Sequence, residues 1–522
     1  MNAEEIIKRA DKLKSDRGNW EENWQEIMDY VLPRKSNITT IYAKGEKRNT
    51  TVYDSTAIHA NELLSASLQG TLSSSSTKWF GLRLRKKELN DIEAVKKWLQ
   101  DCEKAMYRAF NYSNFRSESH ESYLDLCTIG TACMLVEERS INQDGTWGGL
   151  RFRTEHVSGY LIDENADGIV DTVYRILKPS ARQAYQDYKE NLSEETILKA
   201  TEKPDETIEI VHCVRPGTDV GVDSLFPFIS VYVERKHKKI IRESGYREFP
   251  FAVPRWTKAT GEVYGRSPSF NALPDIRTLN RAVELALRAW AKDIDPALIL
   301  PDEGVNGKFK TQASALNYMR PDLIGKVSTV PSGARWDVTQ IETEKLKESI
   351  RKIYFADQLQ LQQGPQMTAT EAQIRFELMQ RLLGPTLGRL EGEYLNPIIQ
   401  RVFQIMFRAN QFPPVPRELQ GEEVDVMYNG PLARAQRMNE MVAVQRWLES
   451  VGQIAQFAPA ALDNVNTDYI VKMNAESLGV PVQAVRAQDE IDQIRNNRAQ
   501  QMQQQQMMNN AQDAANVSKA MQ

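Results

Sequence analysis

Three groups of residues have types and spacing that could do chemistry. The segment DENADGIVDTVY sets Asp163, Asn165, Asp167, Gly168 and Asp171 at the early spacing of a calcium-binding EF-hand loop, whose oxygens would coordinate a hard cation. Position twelve is Tyr174, not a bidentate glutamate, and the flanking runs are β-branched, so a hairpin turn using Asp-Gly chemistry explains the same residues and is favoured. Lys345 and Lys352, seven residues apart, share a helical face turned away from Leu346 and Ile350. In a lone chain that face is solvated and paired to Glu348; repeated in a ring, it would line a channel with positive charge. The third group is the amide-rich run QLQLQQGPQ, with Gln360, Gln362, Gln363 and Gln366.

Catalytic motifs are missing. GVNGKFKT lacks the spacing and the hydroxyl residue of a phosphate-binding loop, and no Gly-x-Ser-x-Gly, His-Glu-x-x-His or Gly-x-Gly-x-x-Gly occurs. His59, His120, His156, His212 and His237 are scattered and read as structural or surface residues. Cys102, Cys127, Cys133 and Cys213 form no Cys-x-x-Cys pair, which fits buried thiols in a reducing compartment and gives zinc no support. No cofactor is expected.

The glutamine run opens onto a long helix. Thr368 and Glu371 make a capping box, and apolar residues then step by three or four through Ile374, Leu378, Leu382, Leu383, Leu387, Leu390, Tyr394, Ile398, Val402 and Ile405. From Ala369 to Asn410 that path is roughly 60 Å at about 1.5 Å per residue. Gly384 and Pro385 predict a kink near Leu383, and Asn396-Pro397 is a second weak point. Upstream, Ile276, Leu279, Val283, Ala286 or Leu287, and Trp290 mark one amphipathic helix, and Leu346, Ile350 and Ile353 another. Core packing accounts for such stripes. The two helices bracket an insert with short strand candidates, ALILP and KVSTV, and form an antiparallel stalk with a tip if they pack together.

Before the stalk the pattern is mixed. NWEENWQEIMDYVLPR and DIEAVKKWLQDCEKAMYRAF are helical, a helix from HANELLSASLQG runs into a serine-rich turn, and short β-branched runs between Cys127 and Trp256 predict hairpins. The fold class is α+β, mainly helical. The last residues are a low-complexity glutamine-rich tail.

At 522 residues the chain is long enough for two to four domains. With 26% charged residues and no apolar run of membrane-spanning length, it reads as soluble, and its start is too charged for a secretory signal. The 66 basic and 70 acidic residues leave a formal charge of −4, which does not suit a protein that grips DNA tightly.

Several segments together resemble the portal, or head-to-tail connector, proteins of short-tailed bacteriophages. They are LLSASLQGTLSSSSTKWFGLRL, YLDLCTIGTACMLVEE, GEVYGRSPSFNALPDIRTLNRAVELALRAWAKDIDPALILPDEGV, MTATEAQIRFELMQRLLGPTLGRLEGEYLNPIIQRVF and VDVMYNGPLARAQR. Ser73 to Thr77 depart from the prolines expected before Trp79-Phe80. The resemblance implies a non-enzymatic ring of twelve subunits at one capsid vertex, through which a terminase motor drives double-stranded DNA. It implies a wing at 1–265, stem helices at 266–292 and 340–358, a clip at 293–339 and a tunnel loop at 359–369. A long kinked helix at 370–411, a crown and barrel at 412–500 and the tail at 501–522 complete it. Implied partners are further copies of the chain, capsid and scaffolding proteins, the terminase and a tail adaptor, with no direct membrane contact. The implied location is the virion, after assembly in the host cytoplasm. In that setting Gln360, Gln362, Gln363 and Gln366 would touch DNA without holding it. Two other readings stay open: a scaffold or internal ejection protein without an open ring, and an enzyme whose site no motif reveals.

Overall fold

The computed structural model describes residues 2–43, 45–48, 51–74, 78–84, 86–142, 144–217, 226–294, 298–299, 328–329, 336–359, 383–419, 426–428, 431–477, 480, 484, 486 and 490–505. Gln360, Gln362, Gln363, Gln366, Thr368 and Glu371 lie outside these residues. The chain is α+β with helix predominating, and it divides into two compact units, 1–73 with 111–401, and 74–110 with 402–522.

The first unit is built on a five-stranded antiparallel meander whose neighbours follow chain order: Tyr160–Glu164, Val170–Leu177, Ile210–Pro216, Phe228–Glu234 and Lys239–Tyr246. Side chains alternate across a strand, so Tyr160 and Ile162 go to one face and Leu161 to the other. The first face joins Trp24 and Met28, from the helix Gly18–Val31, to Cys133, Leu135 and Phe251. The second is covered by Ile6 and Ala10 of the helix Ala3–Asp16, which pack on Leu161, Tyr174, Val211 and Val233. Burial on both faces explains why these strands read as continuous apolar runs. Met134–Glu138 pairs with Leu150–Thr154 and Phe251–Ala252 in a smaller sheet.

The acidic segment 163–174 is the first hairpin turn of the meander. Asn165 Oδ1 accepts from the amides of Asp167 and Ile169, and Gly168 takes φ +74°. Asp163 pairs with Arg9, and Glu164 with Arg255 and Lys258, so these carboxylates are committed to ion pairs. All four cysteines are free and buried, and burial pushes the Cys102 and Cys127 thiols up to about 12. Among the described residues no helix is long and apolar enough to cross a membrane.

The second unit gathers Trp79, Phe80, Tyr107 and Phe110 into an aromatic cluster, with Phe80 stacked on Tyr107 at 4.3 Å. Trp98 donates its indole N–H to Pro413 O at 3.0 Å. Leu82–Leu84 pairs with Val426–Tyr428, joining parts of the chain far apart in sequence. The helix Pro431–Ala455 packs against Thr467–Ser477.

Candidate functional site

The candidate site is the stalk, and it begins with a close crossing of two glycines. Gly130 takes φ +84°, and a Cβ there would meet Gly265 O at 2.5 Å; one on Gly265 would meet Gly130 O at 2.3 Å. Only hydrogen fits at both positions. The crossing sets the start of the first stalk helix, Pro268–Ile294. Ser267 Oγ donates to Thr128 O at 2.7 Å, and Ser269 Oγ donates to Cys127 O at 2.9 Å. Pro268 opens the helix, where its missing N–H costs nothing.

The second stalk helix, Trp336–Ile353, returns beside the first. Tyr354 OH donates to Ser269 Oγ at 2.7 Å, and Ser349 Oγ donates to Asp275 Oδ2 at 2.7 Å. As the first helix rises from 269 to 275 the second descends from 354 to 349, so the pair is antiparallel. Ile276, Leu279, Ile350 and Tyr354 are buried at this base. Asn280 fastens it further: its side-chain oxygen accepts from Tyr53 N at 2.7 Å, and its amide donates to Thr51 O at 2.7 Å. Between the helices, Leu298–Ile299 pairs antiparallel with Ser328–Thr329, where ALILP and KVSTV were read as strands.

Core packing does not hold along the whole first stripe. Leu287 is 45% exposed, Trp290 57% and Ile294 66%, although they continue the face of buried Ile276 and Leu279. The stripe outruns the base that buries it, so its outer half is core-like sequence left facing water.

Lys345 and Lys352 share one exposed face of the second helix, about 10 Å apart along it. Lys345 does not pair with Glu348; its Nζ lies 2.8 Å from Glu342 Oε1, one turn toward the N-terminus. Lys352 has no ion-pair partner among the described residues. On the first helix Glu284 bridges Arg281 at 2.7 Å and Arg288 at 2.6 Å, and the hydrogen bond from Arg281 holds its carboxyl below the usual range.

The long helix is described from residue 383. Leu383, Leu387, Leu390, Tyr394, Ile398, Val402 and Ile405 are all buried, as their spacing predicts, and the helix ends before Asn410, which takes φ +53°. Gly384 and Pro385 lie in helix at the edge of the described segment; a bend at Leu383 involves residues before it, outside that segment. The irregularity observed is a π turn, Glu391–Leu395, immediately before Asn396-Pro397. Pro397 has no N–H to offer the carbonyl four residues back and its ring crowds that carbonyl, so a widened turn is the local relief.

Sequence reasoning missed the residue that clasps this turn. Arg255, 1% exposed, donates its backbone N–H to Glu393 Oε2 at 3.0 Å and its Nη2 to Glu393 Oε1 at 2.8 Å. It also donates to Glu164 Oε2 at 2.8 Å and to Gly168 O at 2.8 Å, tying the long helix to the meander's first hairpin. Desolvation works against the Glu164 carboxylate, but hydrogen bonds from Lys258 and Arg255 hold its carboxyl below the usual range. Glu391, on the same turn, is pushed up by burial, and its Oε1 has no hydrogen-bond partner among the described residues. Nothing in the spacing around Arg255 marks it, since its partners lie 91 and 138 residues away. Among the described residues no group of histidine, cysteine or acidic side chains could hold a metal ion.

Comparison with known proteins gives a concordant result. A family described as bacteriophage head to tail connecting protein matches residues 3–485. The chain is similar to a probable portal protein of Bordetella phage BPP-1, 29% identical over 513 residues that cover 95% of this chain and 91% of the relative. It is equally similar to a portal protein of Salmonella phage epsilon15, 29% identical over 536 residues that cover 99% and 95% of the two chains.

Proposed function

Because the chain belongs to the bacteriophage head-to-tail connecting family, structural components of the virion, we propose that it forms a ring-shaped conduit for double-stranded DNA. The observation that carries this reading is the stalk. An antiparallel helix pair is anchored firmly at one end, and its outer half presents Leu287, Trp290 and Ile294 to water. Exposed apolar surface of this extent suits a chain that works inside an assembly, where further protein covers it.

In this reading the stem helices wall the channel, and the insert at 293–339 is the clip that meets the terminase during packaging and a tail adaptor afterwards. The region 1–265 is the outer wing, and 412–500 forms the crown and barrel toward the capsid interior. A conduit must touch DNA without gripping it. Gln360, Gln362, Gln363 and Gln366, in the tunnel loop at 359–369, offer hydrogen bonds but displace few counterions, which keeps the barrier to sliding low. Thr368 and Glu371 would cap a long helix rising from this loop, and Gly384 and Pro385 would kink it. Lys345 and Lys352 add sparse positive charge on a stem face, and the formal charge of −4 keeps the whole from being a DNA clamp.

The test is complementation of a phage whose own copy of this chain is disabled. Supplying the chain should restore DNA-filled heads, while its absence leaves heads empty. Filled heads formed without it would contradict the proposal and favour a scaffold or ejection role.

A further inference from the structure

We infer that neighbouring copies join through the outward faces of the two stalk helices, with Arg277, Arg281 and Leu285 of one copy against Glu348, Glu344 and Ile341 of the next. This deepens the ring reading and rests on it.

The argument begins with faces. At about 100° per residue, Arg277, Arg281 and Leu285 lie on the first helix within about 60° of the direction opposite buried Leu279. Ile341, Glu344 and Glu348 lie similarly opposite Leu346, the side from which the second helix packs on the first. All six are exposed, with Leu285 at 50% and Ile341 at 57%. In a ring built head to tail, the surface of each stalk facing away from its own partner helix meets the next stalk. The first helix of one copy then lies beside the second helix of its neighbour.

Height supplies the second constraint. Ser269 is level with Tyr354, and Asp275 with Ser349. Continuing that register places Arg277 level with about residue 347, Arg281 with about 343 and Leu285 with about 339. Rotation about an axis running along the stalk leaves heights unchanged, so these levels hold between copies as well. Glu348, Glu344 and Ile341 each fall within about 3 Å of the level required. Two basic residues therefore meet two acidic ones, and an exposed leucine meets an exposed isoleucine, in order along both helices.

The existing partners do not oppose this. Arg277 lies 3.3 Å from Glu26, Arg281 2.7 Å from Glu284, and Glu344 3.2 Å from Arg351. These are exposed ion pairs, which exchange partners at little cost, and Glu348 has no ion-pair partner among the described residues.

The test is a double cysteine variant, Leu285→Cys with Ile341→Cys, in the full chain, oxidised and run on a non-reducing gel. The native cysteines are buried and leave a low background. A ladder of covalent multimers is expected, and neither single variant should give more than a dimer. In parallel, Arg281→Glu should abolish ring mass in light scattering, and adding Glu344→Arg should restore it. Rings from the wild type, with no ladder and no effect of Arg281→Glu, would overturn this interface while leaving the conduit intact. A wild type that forms no rings would overturn the conduit reading, and this interface with it.

Discussion

Arg255 is a buried residue that links the long helix to the first hairpin of the meander. Its guanidinium is buried and divided between Glu393 and Glu164, which are themselves largely enclosed. Removing the cation strands the Glu393 carboxylate and leaves Glu164 with Lys258 alone, so Arg255→Met should destabilise the chain by about 3 kcal/mol, measured by urea unfolding. Glu164 then predicts acid sensitivity. Its folded pKa is lowered, so its contribution is present above the ordinary carboxylate value and is lost as pH falls through the lowered one. Glu391 has the opposite sign. Its folded pKa is raised, so its contribution is present at acid pH and lost as pH rises through the raised value. Glu391→Gln should therefore raise the melting temperature at neutral pH and leave it unchanged near pH 4; an equal effect at both would mean the carboxylate is not strained. At this scale the sequence was legible only where partners are close. The Asn165 to Gly168 turn follows from its own residues, whereas Arg255, Glu164 and Glu393 are separated by most of a domain.

Elements were more legible than contacts, because periodicity is local and contacts are not. The stalk helices, the strand pair between them and the buried stripe of the long helix all follow from spacing. The π turn does not, although Pro397 marks where an α-helix would fail. The stripe of the first stalk helix shows the limit most clearly: Ile276 and Trp290 look alike in sequence, yet only Ile276 is buried. Period tells which residues want cover, not which chain provides it. Trp290→Ser should accordingly change the unfolding free energy of the isolated chain by less than about 0.5 kcal/mol. A large loss of stability in the isolated chain would place Trp290 in a core instead. For the loop, deletion of Gln360 to Gln366 should leave assembly intact and impair DNA packaging or retention. Loss of assembly would show that the tunnel loop does not lie in this segment.

At the scale of the whole molecule, the family match spans nearly the full chain, and the outer half of the stalk leaves Leu287, Trp290 and Ile294 exposed. The resemblance seen in the sequence and the family match agree, and the glycine crossing at Gly130 and Gly265 gives two of the resembling segments a physical reason. In the proposed conduit, a formal charge of −4 would let a polyanion pass without being gripped. The closed ring is open to a decisive check by electron-microscope imaging of the purified protein, with mass determined by light scattering. A closed ring of about a dozen copies around an open centre is expected. Purified protein that is uniformly monomeric, at concentrations where the exposed stalk surface should drive association, would contradict it.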